Sequence, residues 1–246
     1  MTKFIFYLTK CIIIAITLFL LASCKSSIEW GDGRKGSGTV TTQTRIANEA
    51  FSKIKVQQGI IVELSQNDSQ SIAVTADDNI QDLIETKIEN GTLTISAKES
   101  YNSTTSPRVA VSTKIIAALT ASSGSEIKSF GQLSSTKLDV KSSSGSTIKI
   151  DVEADDLSLD SSSGSTINAS GRALKLETSA SSGSSINAKK LLANDIFAQA
   201  SSGSSTSISP IVSLEGKASS GSSVNYHQAP KIIKIEESSG GSVSAK

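Results

Sequence analysis

The stretch KSSSGSTIKIDVEADDLSLDSSSGSTIN, Lys141 to Asn168, carries one element twice: Ser-Ser-Gly-Ser-Thr-Ile stands at 143–148 and again at 162–167. Followed outward in both directions, the glycine recurs at Gly124, Gly145, Gly164, Gly183, Gly203, Gly221 and Gly240, at spacings of 21, 19, 19, 20, 18 and 19 residues. A period of about 20 is the signature of a solenoid, in which no single repeat can bury its own apolar side. A Gly/Ser-rich linker would have a similar composition and would be flexible coil. Such a linker has no reason to keep a side-chain phase, and these repeats keep one.

Seven places before each glycine stand Ala117, Leu138, Leu157, Leu176, Ile196, Leu214 and Ile233. Five places before it are Leu119, Val140, Leu159, Thr178, Ala198, Gly216 and Ile235, and three before it the residues are mostly small. Three places after it come Ile127, Ile148, Ile167, Ile186, Thr206, Val224 and Val243. All these offsets are odd, so in an extended chain they point to one face. The pattern predicts an all-β fold, a parallel β-helix or β-solenoid with coils of about 20 residues, cornered at Ser-Ser-Gly-Ser. Stacked rungs about 4.8 Å apart place like residues above one another. The serines before the glycine (Ser123, Ser144, Ser163 and their equivalents) and after it (Ser125, Ser146, Ser165 and theirs) are expected to form columns that satisfy their hydroxyls along the stack.

Between Ala50 and Glu99 the pattern shifts to short alternating runs, Phe51–Val56, Ile60–Leu64, Ser71–Thr75 and Leu93–Ile95, each a strand with one buried side. Asn90-Gly91 predicts a tight turn, while Ile80–Ile88 fits either a helical turn or a strand. Residues 39–115 are therefore expected to be a β-rich part that continues or caps the solenoid of 116–246. With aromatic residues at 4%, one tryptophan and one methionine, a large globular core is excluded in favour of stacked small and β-branched side chains.

The N-terminus reads as a targeting segment, residues 1–23: Lys3 and Lys10, then the apolar Cys11 to Leu20, then Leu21-Ala22-Ser23-Cys24. The apolar run is about half the roughly 20 residues that a membrane span requires. Residues 24–38, rich in Ser, Gly and charge, are expected to be a flexible tether. Removal of 1–23 takes two lysines from the 24 basic residues and leaves 22 against 23 acidic ones, a balance that gives no nucleic-acid partner a basic surface. Of the two cysteines, Cys11 goes with the segment, so no disulfide is available.

The tetrapeptide ending at Cys24 resembles the lipobox of bacterial lipoproteins. That resemblance implies acylation of Cys24, a membrane anchor through the lipid, and, with Lys25 following, an outer-membrane address in the cell envelope. Phe51-Ser-Lys-Ile-Lys-Val56, Gly59-Ile60-Ile61, Val62-Glu-Leu64, Gly91-Thr-Leu-Thr-Ile95, Val109-Ala-Val111 and the Ser-Gly-Ser coils together resemble the DUF2807 family, the auto-transporter adhesin head GIN domain. Ile61 stands where the family's Gly-Ile-Asn motif has asparagine. The resemblance, running from about Thr39 to the C-terminus, implies a β-helix-like fold.

Nothing in the repeats assembles catalytic chemistry. His227 is the one histidine and is expected at the surface. A serine nucleophile needs a base and an oxyanion site, and serines that recur in columns argue for structure. Asp77-Asp78 and Asp155-Asp156 are adjacent, so in a strand they point to opposite sides, and solvated turns are expected there. The Asp-containing nonapeptide of calcium-binding repeats is missing, and no cofactor or metal is expected. Thr147, Thr166, Ser185, Ser205 and Ser223, two places after their glycines, are expected to point outward as a hydroxylated ladder. The expected function is a non-catalytic envelope lipoprotein offering a solenoid surface, adhesive in character, to an envelope protein or a glycan. The alternatives are a polysaccharide-active β-helix enzyme and a structural module of an envelope complex.

Overall fold

The computed structural model describes residues 33–246. The targeting segment, Cys24 and the first part of the tether lie outside the described residues. Among the described residues there are eighteen strands and no helix. The first part holds β1 (Arg34–Lys35), β2 (Val40–Arg45), β3 (Lys53–Val56), β4 (Ile61–Gln66), β5 (Ser71–Asp77), β6 (Ile84–Glu89), β7 (Thr92–Ala97), β8 (Tyr101–Asn102) and β9 (Arg108–Thr113). The repeats follow as β10 (Ala118–Ala121), β11 (Glu126–Ser142), β12 (Thr147–Ser161), β13 (Thr166–Ala180), β14 (Ser185–Ala200), β15 (Ser205–Ala218), β16 (Ser223–Tyr226), β17 (Ile232–Glu237) and β18 (Ser242–Ala245).

From β10 onward every pairing is parallel and joins one coil to the next, the solenoid expected from the period. The inward columns are in register: Val109, Val62, Ile127, Ile148, Ile167, Ile186, Thr206, Val224 and Val243 lie one above another. All are buried, and each large apolar member contributes about 1.5–3 kcal/mol by leaving water. Three members of the expected inward columns depart from expectation. Ala117 is half-buried because Ile116 turns inward where the chain re-enters the stack. Ile233 and Ile235 are 44% and 42% exposed, since β17 pairs with β15 alone and no described coil covers its other side.

The stack does not begin at residue 116. Strands β3 and β4 pair in parallel with β10 and β11 and so form a coil of their own, cornered at Gln58-Gly59. After β4 the chain leaves the stack; β7 and β9 return as the rung below, parallel to β3 and β4. Strands β6, β5 and β2 then add in antiparallel fashion and close that end. Asn90 and Gly91, both left-handed, make the β6–β7 turn as expected. Residues 78–83 are turns and β6 supplies the rest, which resolves the ambiguity over Ile80–Ile88. Part of the expected tether is docked: β1 pairs with β8, and Arg34 binds Asp82 and Glu99, each at 2.7 Å. The sequence hid this because two short polar strands carry no apolar period.

Each corner is a type I′ turn. Its two central residues have positive φ, as at Ser144 (51°) and Gly145 (71°), and the N–H of Ser146 donates to the carbonyl of Ser143 at 3.2 Å. Glycine takes this conformation freely, whereas serine does so at a cost. The glycine N–H donates to the next corner, Gly145 to Ser163 O and Gly164 to Ser182 O, both at 3.1 Å. A bare turn could have offered these N–H groups to an anion, but here they are taken up by the stack.

The two serine columns satisfy themselves differently from expectation. Those before the glycine are exposed, while those after it are buried and bind backbone. Ser146 Oγ lies 2.8 Å from the Ala121 carbonyl of the preceding coil and accepts the Ser143 N–H at 3.0 Å; Ser165 does the same with Ser142 O and the Ser162 N–H. The reason is distance: a corner carbonyl lies within reach of the hydroxyl, and the next serine is a full rung away. Further bends interrupt the coils, seen as register shifts at Lys128–Gln132, Asn168–Ser170, Asn187–Leu192 and Ala193–Asp195. Asp155-Asp156 occupies such a bend inside β12, with both side chains exposed, in place of the expected turn. Asp77 ends β5 and is buried, accepting a hydrogen bond from Ser103 Oγ at 2.9 Å.

Candidate functional site

The side of each coil that follows the corner presents two outward rows. In the first, Thr147, Thr166, Ser185, Ser205, Ser223 and Ser242 are aligned rung by rung. The first five are half-exposed and Ser242 is exposed. Its N-terminal continuation is Glu126, then Ile61, then Arg108. Gly59-Ile60-Ile61 is thus the first corner of the whole ladder. Ile60, fully buried, takes the place that serine holds in later corners, and Ile61 stands in the outward row between Glu126 and Arg108.

The second row was not singled out in the sequence. Lys128, Lys149, Asn168, Asn187, Ser207, Asn225 and Ser244 stand four places after their glycines and are likewise in register. The signal was present in the same alignment, as amide or amine side chains at one offset. Along the row Asn187 Nδ2 approaches Asn168 Oδ1 at 3.4 Å, and Ser244 Oγ approaches Asn225 Oδ1 at 3.4 Å. Beside it runs a shallow groove of about 560 Å³ passing Lys128, Asn168 and Asn187.

Within the two rows charge is confined to the N-terminal end, where Lys149 Nζ binds Glu126 at 2.9 Å, while Lys189 and Lys190 line the groove beside them. From Thr166 to Ser244 both rows are uncharged. Each rung offers a hydroxyl, and most add an amide, so donors and acceptors repeat about every 4.8 Å. A hydroxyl with no base beside it stays protonated and is a poor nucleophile. The chemistry the face supports is recognition through hydrogen bonds. His227 is exposed at the edge of the last coils. Among the described residues no group of three or more His, Cys, Asp or Glu side chains is arranged to hold a metal ion, and no helix is long and apolar enough to cross a membrane.

A stack of parallel coils, closed at one end by antiparallel strands and carrying polar ladders outside, defines the class: a capped β-solenoid. The chain belongs to the DUF2807 family, described as "Putative auto-transporter adhesin, head GIN domain", whose profile matches residues 50–230. The fold is that of a "putative adhesin" from Bacteroides fragilis, with a TM-score of 0.79 at 18% identity over 87% of this chain and 100% of that one. A "putative adhesin" from Parabacteroides merdae matches with a TM-score of 0.70 at 20% identity, over 87% of this chain and 99% of the other. A "Putative lipid binding protein" from Parabacteroides distasonis matches with 0.69 at 17% identity, over 86% and 98%. No curated protein matches the sequence.

Proposed function

We propose that this chain is a non-catalytic lipoprotein of the cell envelope, anchored through Cys24 in the outer membrane, whose solenoid holds the hydroxyl and amide face out as an adhesive surface. The observation that carries this reading is the alignment of Thr147, Thr166, Ser185, Ser205 and Ser223 with a second polar row, uncharged over most of its length. An uncharged ladder repeated at rung spacing matches a partner that is itself periodic and rich in hydrogen-bonding groups. The family description and the adhesin names of two solved relatives support the same reading.

Two experiments test its two halves. Metabolic labelling with a fatty acid should mark the wild-type chain and leave Cys24→Ala unmarked; equal labelling ends the anchor. Cells displaying the Thr166→Glu, Ser205→Glu chain should adhere to envelope or host surfaces far less than wild type, with an unchanged circular dichroism spectrum. Full adhesion in that double variant removes the face from the reading.

A further inference from the structure

The opposite side of each coil, the one entering the corner, is charged and grooved. Two outward rows run along it in register. One is Lys137, Asp156, Lys175, Asp195, Ser213 and Ile232; the other is Asp139, Ser158, Glu177, Phe197, Glu215 and Lys234. Between the rows lies a groove of about 760 Å³, floored by the strand segments of Leu157, Leu176, Ile196 and Leu214. It crosses successive rungs and so runs along the stack.

Three properties select its ligand. First, five carboxylates face three amines, which disfavours polyanions such as nucleic acids and acidic polysaccharides. Among the described residues no ion pair joins the alternating Lys137, Asp156, Lys175 and Asp195, so the first three stay open to a ligand while Asp195 accepts a hydrogen bond from Ser213 Oγ at 2.6 Å; Glu215 is held by Lys234 at 3.1 Å and by Lys217 at 3.2 Å. Those ammonium groups hold the Glu215 carboxyl below the usual carboxylate range and keep it an acceptor. Second, Phe197, half-buried, stands in register between Glu177 and Glu215. Among the described residues it is the one aromatic ring lining the groove, and the Lys217 ammonium lies over it, 5.6 Å from the ring centroid. Third, the floor strands are paired on both sides by neighbouring coils, so the groove offers no free edge to which a peptide could add as a strand.

We propose that this groove binds a neutral glycan strand, with one sugar ring stacked on Phe197 and its hydroxyls donating to Glu177 and Glu215. The rungs repeat at about 4.8 Å, close to the width of a pyranose ring, so consecutive sugars meet consecutive carboxylates and amines. The proposal rests on the reading of this chain as an interaction surface and gives it a ligand class on a different face.

Calorimetry of the full chain in detergent tests it, with cellohexaose, maltohexaose, mannohexaose and chitohexaose as neutral probes and hexagalacturonate as the acidic one. At least one neutral probe should bind, and Phe197→Leu should weaken that binding about tenfold. Phe197→Tyr should retain it, which separates loss of the ring from loss of the fold. Glu177→Gln should weaken it, and Thr166→Glu with Ser205→Glu should leave it unchanged. Binding by none of the neutral probes, binding indifferent to Phe197→Leu, or preference for hexagalacturonate overturns the proposal. A chain that binds no neutral probe yet adheres through its hydroxyl face overturns the groove alone; one that binds through Phe197 but adheres unchanged after Thr166→Glu and Ser205→Glu overturns the face alone.

Discussion

At the corner, two serines two residues apart in sequence have opposite fates. Ser163 is exposed with φ of 51°, a left-handed conformation that costs a non-glycine residue about 1–2 kcal/mol. Ser165 is buried, its hydroxyl 2.7 Å from the Ser142 carbonyl of the coil before. Replacement therefore has opposite signs at the two places. Ser163→Asn, the residue that opens the same turn at Asn90-Gly91, should raise stability by about 0.5 kcal/mol. Ser165→Ala should lower it by about 1 kcal/mol through the lost hydrogen bonds. Urea denaturation of both variants checks the pair, and equal effects would mean that the corner serines are interchangeable. The sequence announces the Ser-Gly motif and says nothing of this division, because burial depends on where the neighbouring coil lies.

At the scale of the strand, the columns and their polar members were legible, and the fate of those members' hydroxyls was not. Thr206 sits between Ile186 and Val224 in an otherwise aliphatic column, and Thr178 lies between Leu159 and Ala198. Both are fully buried, and both hydroxyls lack a hydrogen-bond partner among the described residues. Thr206→Val keeps the shape and removes the unpaired hydroxyl, and should stabilise the chain by about 1–2 kcal/mol. A thermal melt checks it; a lower melting temperature would show that the hydroxyl is engaged. Gly171 is a second local constraint. An added Cβ there would lie 2.0 Å from the Val152 carbonyl oxygen at φ of 113°, so the bend of β13 admits only glycine. Its place outside the Ser-Ser-Gly motif made it look incidental in the sequence.

Across the whole molecule, stability is spread along the stack, each coil contacting mainly its two neighbours. Deletion of residues 147–165 removes one coil and joins Ser146 to Thr166, so that Ile167 falls above Ile127 and every column continues. The shortened chain should remain folded, with a lower urea midpoint and a smaller denaturant dependence because less surface is exposed on unfolding. Circular dichroism with urea titration measures both. A chain that loses its β signal would show that the coils are not equivalent units. The cap is different in kind, since β7 and β9 close the first rung and β2, β5 and β6 cover them.

The sequence by itself determined the repeat, the inward phase and the outward ladder, because all three are written as fixed offsets from one glycine and need no knowledge of distant residues. The structure alone decided that Gln58-Gly59 is the first corner, that residues 67–117 are an excursion returning as a rung, and that Arg34–Lys35 docks on Tyr101–Asn102. These depend on pairings between segments far apart in the chain, which no local period encodes. The two faces divide on the same line. A row of like hydroxyls can be read from one alignment, whereas Phe197 acquires its carboxylate neighbours only when coils from three repeats are brought into register.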